Sequence, residues 1–233
     1  SGRCQLRVLP SETNLGPALN FEKAYRSVDT EYVALCEGDD YWLDIYKLQK
    51  QVDVLLQNRR VNLSVGNTLI EESGCLINYN WRNRLQIREV YKLHHYVGGV
   101  FFHTSSVVFR RIPLPEIIGK SVLQGDIALF SHAINKGLIH YSDDNYSVYR
   151  RHANGVTNSI NYLSPTKTFH GLLIILRSLL SLDVDFMTHI IIRLKIASTR
   201  LLLCKEHARF FNSIYALTAK SINAILFWLT RRI

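Results

Sequence analysis

The residues best placed to do chemistry are two aspartates, Asp39 and Asp40, in the stretch CEGDDYW (36–42), directly after the apolar run EYVALC. Adjacent carboxylates repel each other unless something positive lies between them. A hard divalent cation, shared with phosphate oxygens, suits such a pair. Capping a following helix needs only one carboxylate, and the helical pattern resumes near Leu43, too late for Asp39 to serve it. The spacing therefore points to a charged functional turn at the end of a buried strand, with helix capping as the bland alternative.

Other candidates are weaker. Tyr41 and Trp42 suit stacking on a sugar or base and suit plain packing equally well. His94, His95 and His103 match no familiar zinc spacing and no cysteine joins them, so they read as core or acceptor-pocket residues. Cys4, Cys36, Cys75 and Cys204 form no CxxC pair. Two of them fall in apolar strand-like runs, which predicts buried free thiols, a reducing compartment and no structural zinc.

Elements must hold the acidic turn in place, and their order is readable. Residues 4–9 alternate enough for a strand, and a helix follows from about Pro17 with Ala18, Phe21, Ala24 and Tyr25 on one face. EYVALC is continuously apolar, as a strand covered on both faces would be. After the acidic turn, IYKLQKQVDVLLQN carries Leu48, Val52, Leu55 and Leu56 at helical spacing. VNLSVGNTLIEESGCLINYN reads as two strands around a Glu-Ser-Gly turn. TSSVVFRR predicts a strand. VLQGDIALFSHAINKG predicts a helix ending on Gly137 as a left-handed cap, and LIHYSDDNYSVYRRH gives one or two strands. This grammar predicts an α/β domain with a mostly parallel sheet over residues 1–160 and a helical segment over 161–233.

The stretch TNLGPALNFEKAYRSVDTEYVALCEGDDYWLDIYKLQKQVDVL resembles the donor-binding half of a family 2 glycosyltransferase of the GT-A, Rossmann-like fold. The shared features are the Asn-x-Gly turn, the helix, the Glu-Tyr strand, the acidic turn, Tyr-Trp, and the helix with Lys47-Leu48 and Gln51. GDIALFSHAINKGLIHYSDDNYSVYRRH resembles the acceptor side, with Asp126 opening a helix and a closing Tyr-Arg-x-His. The resemblance covers about residues 8–155, and its motifs gain specificity from their common order. The strand–helix–strand with which that family opens has no counterpart here, so the sequence is expected to be an N-terminally incomplete piece.

The resemblance implies transfer of a sugar from a nucleotide-diphosphate donor to a hydroxyl acceptor, with inversion and with Mg2+ or Mn2+ as cofactor. It implies that Asp39 contacts the nucleotide ribose or the metal's water shell, and that Asp40 ligates the metal. Asn14 and Gly16 would shape the loop beneath the nucleotide, although Asn-x-Gly also suits an ordinary turn. Asp126 would be the general base, where a helix-start aspartate favoured by the dipole is the plain alternative. Arg150 and His152 would serve the leaving diphosphate and complete the metal shell, while Arg151 reads as a solvated cation. Two rivals stand beside this reading. One is a catalytically inactive relative that binds a partner or membrane. The other is a metal-dependent phosphoester hydrolase, which would need further ligands at close spacing.

Charge adds a partner. The chain has 233 residues and a formal net charge of +9. From Thr166 onward ten Lys/Arg face three Asp/Glu, so +7 of that excess lies in the last third. Runs such as HIIIRLKIASTRLLL mix Arg193, Lys195 and Arg200 with aliphatic residues. They predict either peripheral association with an anionic membrane or packing on the domain. No stretch reaches eighteen uncharged apolar residues, and no nucleic-acid-binding motif accompanies the charge. The expected setting is the cytoplasm, or the inner face of the membrane if the acceptor is a growing cell-surface glycan or a lipid-linked saccharide.

Overall fold

The computed structural model describes residues 5–82, 85–118, 125–153, 155, 165–207, 219–226 and 228–229. The chain forms a seven-stranded mixed sheet with helices on both faces, followed by long helices. This is the α/β class with a C-terminal helical segment. Helices α1 (Gly16–Arg26) and α2 (Lys47–Gln57) form where the 3.6-residue periodicity put them.

The spine is a parallel pair, β3 (Val61–Glu72) beside β7 (Leu138–Arg151), registered from Val61↔Leu138 to Glu72↔Arg151. Short strands flank it in antiparallel fashion. Strand β6 (Val108–Arg110) lies on β3, and β1 (Tyr32–Ala34) lies on β6. On the other side β2 (Tyr41–Trp42) and β5 (Val90–Tyr91) pair with β7, while β4 (Cys75–Asn78) returns along β3. The β3–β4 hairpin turns on Ser73 and Gly74, both with positive φ, as a two-residue turn of matching twist demands.

Both faces of the sheet's central part are covered. Val33, Leu63, Val65, Phe109 and Ile139 point into the main core with Tyr25 of α1. Leu55 of α2 seals the opposite face with Val61 and Val108, and Tyr32 and Ala34 pack against them. EYVALC is apolar for this reason: β1 alternates between two cores. Among the described residues it nevertheless sits at the sheet's edge and runs antiparallel to β6, its neighbour.

Several local expectations are corrected. Residues 5–9 form no strand, and Leu6 and Val8 are exposed with no strand beside them among the described residues. In TSSVVFRR the strand begins only at Val108, because Thr104–Ser106 winds into a 3-10 turn capped by His103. Helix α4 (Gly125–Ile134) leads into a left-handed residue that is Lys136 rather than Gly137. Gly137 is required for space instead: a Cβ there would lie 2.3 Å from the Asn62 amide. Cys36 and Cys75 are free but exposed, not buried, since each lies where the chain leaves the core. Cys4 and the Cys204 side chain lie outside the described residues.

The proposed boundary near 160 also falls outside the described residues. Beyond it, α5 (Pro165–Leu180) and α6 (Phe186–His207) cover the sheet domain. Leu173, Ile175, Leu176, Leu179, Ile191, Ile192 and Ile196 share one core with Phe102 and Phe130 and with Tyr96 of α3 (Leu93–Gly98). Of the two uses open to the apolar stripes, packing on the domain therefore takes them. Arg231 and Arg232 lie outside the described residues. No described helix is long and apolar enough to cross a membrane.

Each of those buried aliphatic side chains contributes roughly 1.5–3 kcal/mol. Truncation after residue 164 is accordingly expected to abolish cooperative unfolding and to yield a protein that binds a hydrophobic dye. A truncated chain that unfolds within a few degrees of the full one would overturn this account of the core.

Candidate functional site

The acidic turn forms because β1 ends at Ala34 and the chain doubles back, with the Asp40 N–H donating to the Glu37 carbonyl at 3.1 Å. It is not a helix cap. The next helix starts at Lys47, and the intervening Tyr41–Trp42 forms β2 against Val148 and Ser147 of β7. That pairing decides what the turn faces. It carries the end of β7 alongside, so that the Arg150 N–H donates to Asp40 Oδ1 at 3.1 Å and the Arg150 guanidinium donates to the Asp39 carbonyl. His152 Nε2 lies 3.0 Å from Asp39 Oδ2, with both side chains partly exposed.

Of the residues singled out in the sequence, Asp39, Asp40, Arg150 and His152 thus come together. Between the acidic turn, the β3–β4 hairpin tip and the end of β7 lies an open cleft of about 450 Å3, lined by Gly38, Asp39, Glu71, Arg150, Arg151 and His152 among others. Asn14 and Gly16 do not line it. The Asn14 side chain accepts the Gly16 N–H at 2.9 Å, and Gly16 has a φ of 73° at the start of α1, which is the geometry of an ordinary turn.

Asp126 opens α4, half-buried, and Thr104 Oγ1 donates to its Oδ2 at 3.5 Å. Thr104 follows His103, so the 3-10 turn connects Asp126 to the acidic turn. Crowding by protein raises the pKa of Asp126, while backbone N–H groups at the helix start and the Thr104 hydroxyl pull the other way.

His103 lies beside Asp40, where sequence reasoning did not put it. The Asp40 side chain is 1% exposed, and its Oδ2 stands 3.6 Å from His103 Nδ1. That oxygen makes no hydrogen bond of ordinary geometry among the described residues, although the Glu37 and Ser105 side chains lie close enough to pull the Asp40 pKa down. Burial raises the pKa of Asp40, against the Arg150 N–H that lowers it, with Asp39 adding repulsion. Glu37 completes the group: ligand atoms of Glu37, Asp40 and His103 lie within 4.8 Å of one another. The surface of Glu37 is open, yet protein crowds its carboxyl. That crowding, with repulsion from Asp40 and Asp126, raises its pKa to about 7. Burial likewise lowers the pKa of His103 to about 4, so its ring is neutral near pH 7. Asp39 and His152, expected beside Asp40 in a metal shell, are not members of this group. The usable signal in the sequence was HTSS, a histidine two residues before a serine that its ring can cap.

The scaffold under these groups is buried and polar. Trp42 Nε1 donates to the Ser105 carbonyl at 3.0 Å. Gln51 Nε2 donates to the carbonyls of Ser64 and Ser106, tying α2 to both β3 and the 3-10 turn. The Lys47 ammonium is packed over the Trp42 ring at 4.5 Å, and burial lowers its pKa to about 8.

Comparison with known proteins places this geometry. No family model matches the chain. Over 159 residues it is 34% identical to uncharacterized proteins of Mycobacterium bovis and Mycobacterium tuberculosis. The match takes in 66% of this chain and only 44% of those relatives, so the chain spans less than half of their length. Among solved structures, the crystal structure of S. aureus TarS 1–349 in complex with UDP-GlcNAc aligns with a TM-score of 0.56 at 14% identity. It covers 91% of this chain and 59% of TarS. The chain shares the fold of that protein. The acidic turn, the end of β7 and Asp126 are the parts of that fold to be explained.

Proposed function

We propose that this chain is the catalytic portion of an inverting, family 2-like glycosyltransferase that moves a sugar from a nucleotide-diphosphate donor to a hydroxyl acceptor. The observation that carries the reading is the convergence of Asp39, Arg150 and His152 on one cleft, with Asp40 buried against the Arg150 N–H and Asp126 linked through the 3-10 turn. The resemblance of the fold to a protein crystallised with UDP-GlcNAc supports a nucleotide sugar as the donor.

The residues fit a divalent cation. A buried carboxylate oxygen that makes no hydrogen bond of ordinary geometry among the described residues, at Asp40 Oδ2, is a costly feature unless a cation or proton meets it. Asp40 would hold Mg2+ or Mn2+, with Asp39, His152 or the inward-facing Glu37 and His103 as the remaining protein ligands. When bound, such an ion supplies positive charge to the donor's diphosphate oxygens. The chain's own parts do the rest. Arg150, fixed at Asp39 and Asp40, offers its guanidinium to the leaving diphosphate. Asp126 takes the proton of the attacking acceptor hydroxyl. Asn14 and Gly16 are left with a role outside the cleft, in shaping the loop before α1.

The test is a thermal-shift screen of the protein against nucleotide sugars with Mn2+, followed by detection of transferred sugar. UDP-GlcNAc is the first donor to try. Asp40→Asn is expected to remove both the metal requirement for donor binding and at least about 100-fold of the transfer rate, as loss of a metal ligand would. Undiminished turnover in EDTA would sink the metal assignment. The absence of any stabilising nucleotide sugar would sink the donor reading. We place the acceptor, a saccharide or a lipid-linked saccharide, at the surface between Asp126 and the C-terminal helices. Their basic residues would attach the protein to an anionic membrane, and co-sedimentation with anionic vesicles tests that.

A further inference from the structure

We propose that the acceptor is carried on a lipid phosphate, and that an apolar slot among α3, α4, α5 and α6 seats the first carbons of its chain, with the Lys195 ammonium meeting the phosphate. The proposal rests on the glycosyl-transfer reading for the role of Asp126, but the slot is argued from geometry of its own.

The slot has a volume of about 140 Å3. Its floor is Ser131 of α4 with Ile175, Leu176 and Leu179 of α5, all buried. Leu172 lines it too, so it follows α5 for about two turns, or roughly 10 Å. At the rim Val100 is 49% exposed, and half-buried Lys195 of α6 brings its ammonium to 3.5 Å from the Gly98 carbonyl. Apolar cavities of about 150 Å3 take ligands of roughly six carbons, so this one suits a short alkyl stretch or one branched isoprenoid unit. The rest of a longer chain would leave past Leu172, which is only partly buried, and stay in the bilayer.

Position ties the slot to the proposed base. Ile127, in its wall, directly follows Asp126, and Ser131 lies one turn further along the same face of α4. Tyr96 forms another wall, and its phenol is pushed well up by burial and further by the Asp126 charge. Room is kept here at the fold's expense. Ser131 Oγ is buried with no hydrogen-bond partner among the described residues, a costly state that a larger aliphatic residue would remove while filling the space. Unfilled apolar volume beside a reacting group is the character of a ligand subsite. Charge then selects the occupant. Lys195 is the charged residue of the lining, and an ammonium beside an aliphatic slot suits a phosphate attached to a chain. A sugar in the slot would leave its hydroxyls unpaired against Ile175, Leu176 and Leu179.

Titration calorimetry of the full chain with geranyl phosphate, a short isoprenoid phosphate, tests the assignment. One molecule is expected to bind, at least about 10-fold more tightly than inorganic phosphate or geraniol, each of which supplies only part of the contacts. Ser131→Val fills the slot and removes the orphaned hydroxyl. It should keep or raise the melting temperature while weakening geranyl phosphate by about 10-fold. Lys195→Gln should weaken geranyl phosphate by about 10-fold and geraniol by less than about twofold. Arg200→Gln, exposed on the same helix, should change neither. Equal losses in Arg200→Gln and Lys195→Gln would reduce the binding to the general positive charge of the helices and overturn the site. So would failure of geranyl phosphate to bind at millimolar concentration, or binding that Ser131→Val leaves unchanged. If sugar is then still transferred to a lipid-free saccharide, the lipid site falls and the glycosyl-transfer reading stands. Binding in the slot of a protein that transfers no sugar would keep the site and remove that reading.

Discussion

Asp126→Asn is expected to lower sugar transfer by about 100-fold or more while donor binding survives, since the amide keeps the shape and loses the basic oxygen. The position supports the role. Asp126 is half-buried at the first turn of α4 and contacted by Thr104, while Asp40 is held separately by the Arg150 N–H. The pH dependence gives a second readout. Burial holds the Asp126 pKa above the usual carboxylate range, so the fraction of active base, and with it the rate at saturating donor, should rise with pH through that elevated midpoint. In the asparagine variant this rise should disappear from whatever activity remains. If transfer per bound donor is unchanged, Asp126 is a helix-start aspartate and the proton leaves by another route.

How much of this was legible without coordinates depends on whether the signal was local. Asp39 and Asp40 stood out because like charges after an apolar strand are anomalous on any fold. The helix containing Lys47 and Gln51 was legible from its period. What that helix does was not. Both polar side chains point inward, at 1% and 0% exposure, because Gln51 reaches two backbone carbonyls and Lys47 lies on Trp42. Periodicity reads only the apolar stripe and assigns such residues to solvent by default.

The partnership of Arg150 and Asp40 spans 110 positions. It exists because a two-residue strand, β2, pairs with β7, and two residues are too few to leave a period-2 signature. His103 was missed for a related reason. A single histidine amid Phe101, Phe102 and Val107 reads as core, and what makes it a site residue is a carboxylate 63 positions earlier. The C-terminal helices posed the opposite problem. Their stripes were plain, but a stripe does not say whether its partner is lipid or protein, and only the shared core with Tyr96, Phe102 and Phe130 answers that.

That core also contains an acid-labile element. His94 and His95 sit on α3 at 1% and 3% exposure, their rings 4.1 Å apart. Neither His94 nitrogen has a hydrogen-bond partner among the described residues, and His95 uses only Nδ1, which accepts the Lys92 N–H. Burial lowers the pKa of His94 to about 4, with Asp185 at the start of α6 opposing and Lys92 and Arg88 adding repulsion. Burial lowers that of His95 to about 3, with His94 and Arg88 adding to it. A histidine depressed in this way binds fewer protons folded than unfolded. Stability is therefore intact above about pH 6.5, the unfolded value, and is lost as pH falls towards 4 and then 3. At about 1.4 kcal/mol per unit and per group, the pair can remove on the order of several kcal/mol, a large share of a typical domain's stability. Thermal unfolding between pH 7.5 and 4.5 should show a steep loss below 6.5. His94→Phe with His95→Gln should flatten that slope even if it lowers the melting temperature at neutral pH. A double variant with an unchanged slope would place the acid sensitivity elsewhere, and an acid-insensitive parent would show that these rings are not neutral in the core.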